Sequence, residues 1–253
     1  LATFAVAFLV LLLFIRIPRI DDVQERGESL LKSAKSGLSY LGRNKGILWL
    51  IMFLSAINLI ASFYDAALPA MILSKKDEQA LGLVSACVGV ATLLGSVLAV
   101  FFPKPKSRSA VICNCLLISM STENFLLALS DNTVVWCVGA VMGWITIPLM
   151  NANYDVIFRT NVPAQMQGRV YSVRNTLQFF TIPVGYLLGG LLVDRVFEPF
   201  MASSERGGIL VQLFGDGKGS GAALLFFVLG LAGVAVCMAF RRVRALRDLD
   251  LTE

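Results

Sequence analysis

The chain is 253 residues long, with 57% hydrophobic and only 15% charged residues and a net charge of +5. Soluble domains run nearer about 45–50% apolar and about 25% charged, so the composition excludes an ordinary soluble domain and points to an all-α polytopic membrane protein. There is no His, which removes His-based metal sites, triads and proton relays. No metal, no cofactor and no enzymatic activity is expected.

Leu1–Ile15 is an apolar run too short for the roughly 20 residues of a spanning helix. A signal peptide is disfavoured, because no positive region precedes the run and Arg16 and Arg19 follow it. It reads as a truncated transmembrane helix, the tail of a span that begins upstream. The chain is then expected to be the C-terminal part of something longer. Residues 16–45 are polar and basic, with Leu30, Leu31, Ala34, Leu38 and Leu41 at helical spacing. That pattern predicts a cytosolic amphipathic linker lying at the membrane surface, the alternative being a solvated linker with a helical turn or two.

Six apolar runs follow over residues 46–240: Gly46–Leu73, Gln79–Phe102, Ser109–Leu129, Thr133–Phe158, Val173–Val196 and Gly221–Phe240. Each is near or above spanning length. Helices are expected, since every backbone polar group must be satisfied within the segment. The five Cys (Cys87, Cys113, Cys115, Cys137, Cys237) all fall in these runs and read as small buried hydrophobes. Residues 241–253 form a basic tail.

No Lys or Arg is expected within a span. With residues 16–45 placed in the cytosol, the opposite side holds only Lys75, Lys76, Arg195, Arg206 and Lys218 of the 22 basic residues. This asymmetry follows the positive-inside rule and puts the C-terminus in the cytosol. It also accounts for the basic charge without nucleic acid; the expected partner is the lipid bilayer. The segment Glu198–Ser220 is the long external loop, and its glycines make it flexible or tightly turned.

Three acids fall inside the spans: Asp65, Glu123 and Asp155. A charge in hydrocarbon costs roughly 2.5–3.5 kcal/mol on insertion scales, so such residues face a bundle interior or a watery cavity. Ser55, Asn58, Ser62, Asp65 and Pro69 recur at helical spacing and predict a polar stripe ending in a carboxylate. Asp65 is then either a proton-exchanging or cation-meeting group in a cavity wall, or a carboxylate hydrated near the outer surface. Trp144, Pro148, Asn151 and Asp155 share a second face, and Asp155 stands four residues before Arg159, a spacing that suits an ion pair. Glu123, among Ser119, Ser121, Thr122 and Asn124, reads as helix–helix glue at least as readily as a pathway residue. In the fifth run Pro183 breaks the hydrogen-bond ladder, and Gly185 and Gly189 form a small-xxx-small pattern for close packing.

The stretch Val162-Pro163-Ala164-Gln165-Met166-Gln167-Gly168-Arg169-Val170-Tyr171-Ser172, read as a cytosolic turn, resembles a Pro-x-x-x-x-Gly-Arg-Val-x-Ser motif of major facilitator superfamily transporters. The branch is the one with macrolide-efflux and enterobactin-exporter-like proteins. Pro183–Asp194, Phe197-Glu198-Pro199 and the Gly-rich loop are similar too. The resemblance implies the C-terminal half of a major facilitator fold, with a missing N-terminal half of the same transporter as partner. It implies proton-coupled export of an amphiphilic small molecule across the cell (inner) membrane. Asp65, Asn58, Ser62, Asn151 and Trp144 would line the substrate and proton pathway. Asp155, Arg159, Gly168, Arg169, Pro183, Gly185 and Gly189 would be gating or structural, and Glu123 would be peripheral. The turn Lys104–Arg108 departs from the family's signature loop, lacking its Gly and Asp. The alternative from another class is a non-transporting membrane anchor or sensor module of a larger protein.

Overall fold

The computed structural model describes residues 30–204 and 208–252, with side chains over 35–204 and 208–250. The expected truncated helix at Leu1–Ile15, the linker up to residue 29, and Arg206 lie outside the described residues. From Ala34 onward the chain is one compact unit. Among the described residues there is no strand. Among them, six helices are long and apolar enough to cross a membrane: Lys45–Lys75, Glu78–Phe101, Arg108–Ala128, Thr133–Asn161, Ala164–Ala202 and Ser220–Arg241, called here the first to sixth spans.

Polar residues at the turns start the helices by accepting from backbone N–H groups that have no partner in the first helical turn. Asp77 accepts from Ala80 N at 2.9 Å, Ser107 from Ala110 N at 3.1 Å and Asn132 from Val134 N at 2.8 Å. Glu198 does this across the loop between the fifth and sixth spans, accepting from Gly219 N at 2.9 Å and Ala222 N at 3.3 Å at the start of the sixth span. At the same end of the bundle Lys75 donates to Asp131 at 2.5 Å and to the Phe214 carbonyl at 3.0 Å, gathering three turns.

Two expectations are corrected. The stretch Gln165–Ser172 is helix, not turn: the fifth span starts at Ala164, directly after Pro163. Arg174 therefore sits within a span rather than before one. The same helix continues through a π-helical stretch, Val193–Phe197, to Ala202, and a further short helix, Ile209–Phe214, occupies part of the external segment. What remains of the Gly-rich loop is a tight turn with Gly215, Gly217 and Gly219 at φ of 86°, 148° and 91°, which only glycine adopts without strain.

Glycine decides how closely the spans approach. A Cβ on Gly185 would strike Ser62, and one on Gly189 would lie 3.0 Å from the Ala66 Cβ, so the fifth span rests directly on the first. Gly139 faces Leu126 and Glu123 across the third–fourth contact, Gly95 of the second span faces the Ile145 carbonyl of the fourth, and Gly230 and Gly233 face Phe125 and Met120 across the third–sixth contact. Aromatic pairs fill the first–sixth seam: Phe53 stacks on Phe240 at 4.9 Å and Tyr64 meets Phe226 edge-on at 5.3 Å. The second span buries only the stripe Ala80, Val84, Ala91 and Gly95.

The surface helix Leu30–Arg43 packs through Gly37, set against the Arg169 backbone and Val173, and through buried Leu41. Leu38, expected on the same apolar face, is 53% exposed. Tyr40 donates to the Asn161 carbonyl at 2.9 Å, and burial raises its hydroxyl above the usual value, which keeps it a donor.

The tail returns to this end of the bundle. Asp250 accepts from Ser107 Oγ at 2.7 Å, Arg108 N at 2.8 Å, Ser109 N at 3.1 Å and Ser109 Oγ at 2.6 Å, so it caps the third span.

Gly185→Leu is expected to push the fifth span off the first and destabilise the protein by about 1–3 kcal/mol, measured as a lowered Tm in detergent. Asp250→Ala is expected to cost about 1–2 kcal/mol and to expose the tail to limited proteolysis.

Candidate functional site

Two polar clusters interrupt the apolar interior. The first is centred on Glu123 in the third span, which is 4% exposed. Its Oε1 accepts from the Tyr64 hydroxyl of the first span at 2.5 Å and from Trp144 Nε1 of the fourth at 3.0 Å. Gly143, one residue before Trp144, backs the other oxygen; any side chain there would collide with Glu123 Oε2. Beside it, Asn124 Nδ2 returns to the Met120 carbonyl at 2.8 Å, while its Oδ1 is buried with no protein partner. Glu123, expected at the periphery, is therefore a junction of three spans.

Trp144 ends the helix Thr133–Trp144, and after a turn the fourth span resumes as Ile147–Asn161. Pro148 has no N–H to give the Trp144 carbonyl four residues earlier, so the ladder breaks there. Thr146 Oγ1 donates to the Cys115 carbonyl at 3.1 Å and fixes the break against the third span.

The predicted stripe on the first span divides. Ser55 and Ser62 are buried, and each hydroxyl returns to the carbonyl one turn back, Ile51 at 2.9 Å and Asn58 at 2.7 Å. Ser62 lies at the contact with Gly185. Asn58 is half-buried, and Asp65 and Pro69 are exposed. Asp65 Oδ2 faces the Tyr186 hydroxyl of the fifth span, which donates at 3.4 Å.

The second cluster surrounds Arg174. Its guanidinium lies over three rings, 4.5 Å from the Tyr171 centroid and 5.2 Å from those of Tyr154 and Phe158. Its side chain is 14% exposed, and Nη1 is 3.7 Å from Asp155 Oδ1, an ion pair beyond hydrogen-bond length. Nε donates to Asn175 Oδ1 at 3.1 Å, and Gln178 Nε2 donates to the Tyr154 hydroxyl at 2.6 Å. The partner of Asp155 is thus Arg174 across the fourth–fifth contact, in place of Arg159, which is exposed. Arg169 Nη1 donates to Ser36 Oγ of the surface helix at 3.2 Å. Gly168 has open space where a side chain would stand. Asn151 is exposed, and Pro183 follows the break at Phe180 between the helices Ala164–Phe179 and Thr181–Leu192.

Sequence reasoning missed Tyr64, Tyr154, Arg174 and Gln178 as members of these clusters. A signal was present for two of them: Arg174 and Gln178 follow Tyr171 at helical spacing, hidden by reading the start of this helix as a turn. Among the described residues, no three His, Cys, Asp or Glu come together as a metal site, and all five Cys are free thiols.

Residues 1–186 match the family profile described as Major Facilitator Superfamily. The chain belongs to the major facilitator superfamily. This facilitator chain is 22% identical to Macrolide efflux protein A of Streptococcus pyogenes over 188 residues, covering 72% of the chain and 46% of that protein. The protein of the same name from a serotype M6 strain matches equally. The facilitator chain spans about half the length of these curated relatives. No solved structure matches it.

Arg174→Lys is expected to lose the planar stack over the three rings and to destabilise the facilitator by about 1 kcal/mol, measured against Arg169→Lys as a control in thermal unfolding.

Proposed function

We propose that this chain forms half of the substrate pathway of a secondary transporter that exports an amphiphilic small molecule by alternating access, driven by the proton gradient. Its curated relative is named for macrolide efflux, which supports export and a bulky, partly apolar substrate. A second set of spans would complete the cavity; that the chain spans about half the length of its relatives supports this. The distribution of basic residues supports a cell-membrane protein with a cytosolic C-terminus.

The observation that carries the reading is Asp65. It is a carboxylate within a span, yet it is exposed, with the Tyr186 hydroxyl beside it. An acid kept open at membrane depth fits a water-filled cavity wall, where it can exchange protons or meet a cationic group of the substrate. Asn58, half-buried on the same span, and Asn151 on the fourth supply further polar contacts, and the ring of Trp144, whose N–H is given to Glu123, supplies an aromatic face beside them. Ser62 is assigned to helix packing instead. The Arg174–Asp155 pair, with Arg159, Gly168 and Arg169 nearby in sequence, is placed at the cytosolic gate between the fourth and fifth spans. Pro183, with Gly185 and Gly189 below it, lets the fifth span bend while staying seated on the first.

In cells expressing the full-length protein, Asp65→Asn is expected to abolish efflux driven by a pH gradient and flatten its pH dependence. Efflux that kept both after this substitution would remove Asp65 from the pathway.

A further inference from the structure

The best-enclosed acid in the bundle is not Asp65 but Glu123, and its surroundings join it to a break in a helix. Two donors from different spans, Tyr64 and Trp144, converge on one carboxylate oxygen. The first span brings Tyr64 and Asp65 to this region, the fourth brings Trp144 and Gly143, and the sixth brings the apolar Phe226 against Tyr64. The two donors to Glu123 are neutral groups, Tyr64 and Trp144, and Asp65 is next in the chain to Tyr64. Trp144 is the last residue before the break at Ile145–Thr146, and its carbonyl is the one Pro148 leaves without a helix donor. The broken segment also rests on glycine: Gly95 of the second span faces the Ile145 carbonyl, and Gly143 faces Glu123 itself.

We propose that Glu123 is the proton-binding residue that couples protonation to bending of the fourth span, with Trp144 as its positioning residue. The inference rests on the transport reading above and gives its proton a second station. Ionised, the carboxylate accepts two charge-assisted hydrogen bonds, which are roughly twice as strong as neutral ones and clamp the first and fourth spans to the third. Protonation, by transfer of one H+ from water in the cavity to a carboxylate oxygen, converts both to neutral bonds. The indole is then held less tightly and the fourth span is free to bend at Ile145–Thr146. Release of the same proton to water on the other side restores the clamp, so no co-reactant is required. Asp65, next in the chain to Tyr64, faces the open side and hands protons between Glu123 and the cavity.

The test uses the full-length protein in lipid nanodiscs and in vesicles. Glu123→Gln keeps an oxygen that accepts from both Tyr64 and Trp144, so a merely structural role would survive it. Infrared difference spectra between acidic and alkaline pH are expected to show a carboxylic-acid carbonyl band that Glu123→Gln removes. Trp144→Phe is expected to shift that band by removing one donor, while Asp65→Asn removes a separate component and leaves this one. In vesicles Glu123→Gln is expected to keep exchange of substrate without a gradient and to lose accumulation driven by the pH gradient. Spectra of Glu123→Gln that match the parent protein would overturn the proposal, as would gradient-driven accumulation that persists in this variant. If the parent protein moves no substrate at all, the transport reading fails, and the infrared bands alone decide whether Glu123 binds the proton and Trp144 reports it.

Discussion

An acid in the interior of a membrane bundle has to be met by donors, and at Glu123 those donors come from two other spans. A buried polar group left without partners costs about 1–3 kcal/mol and a charge more, so Tyr64 and Trp144 are held where Glu123 needs them. Their spans are held with them. Phe226 then packs on Tyr64, Gly143 makes room for the second oxygen, and the break in the fourth span falls one residue beyond the indole. The first, third, fourth and sixth spans thus meet around one carboxyl.

The remaining contacts follow from having no solvent to drive them. Lipid is as apolar as a leucine, so spans associate by close approach and shape. That is why glycine recurs at the contacts: Gly95, Gly139, Gly143, Gly185, Gly189, Gly230 and Gly233 each face a side chain or carbonyl of a neighbouring span. A bundle held by smooth glycine faces and a few polar ties can slide or tilt as rigid pieces. The alternating access proposed above would use that kind of movement, and the two proline-associated breaks, before Pro148 and before Pro183, are places where the helix ladder is already open.

The architecture was legible because length and hydropathy report spans directly, and all six were placed to within a few residues except the fifth, whose helix runs further at both ends. That exception had a cause: Gln165–Ser172 is polar enough to read as a turn, yet Pro163 starts a helix and Met166, Val170 and Val173 already point inward. Reading Arg174 as a loop charge followed from it, and so did pairing Asp155 with Arg159. Helical periodicity tells which residues share a face but not which neighbour that face meets. Ser62 and Asp65 lie three apart on one stripe, yet one is buried against Gly185 and the other is open. The donors that meet Glu123 were hidden for the same reason, since they are distant in sequence. Small residues at fixed spacing were the more dependable signal, because close packing is the main use a span has for them.

The reach of Glu198 to the start of the sixth span has a consequence for the loop that joins the fifth span to the sixth. By accepting from Gly219 N and Ala222 N it closes the loop at its base. The distance between the ends of the fifth and sixth spans is then set by one side chain and not by the length of chain that joins them. Loop-closure entropy rises only slowly with added residues, and here the ends are tied already. An epitope inserted after Ser204 would hang from a fixed base. The loop between the fifth and sixth spans can therefore carry a reporter while the spans beneath it keep their places.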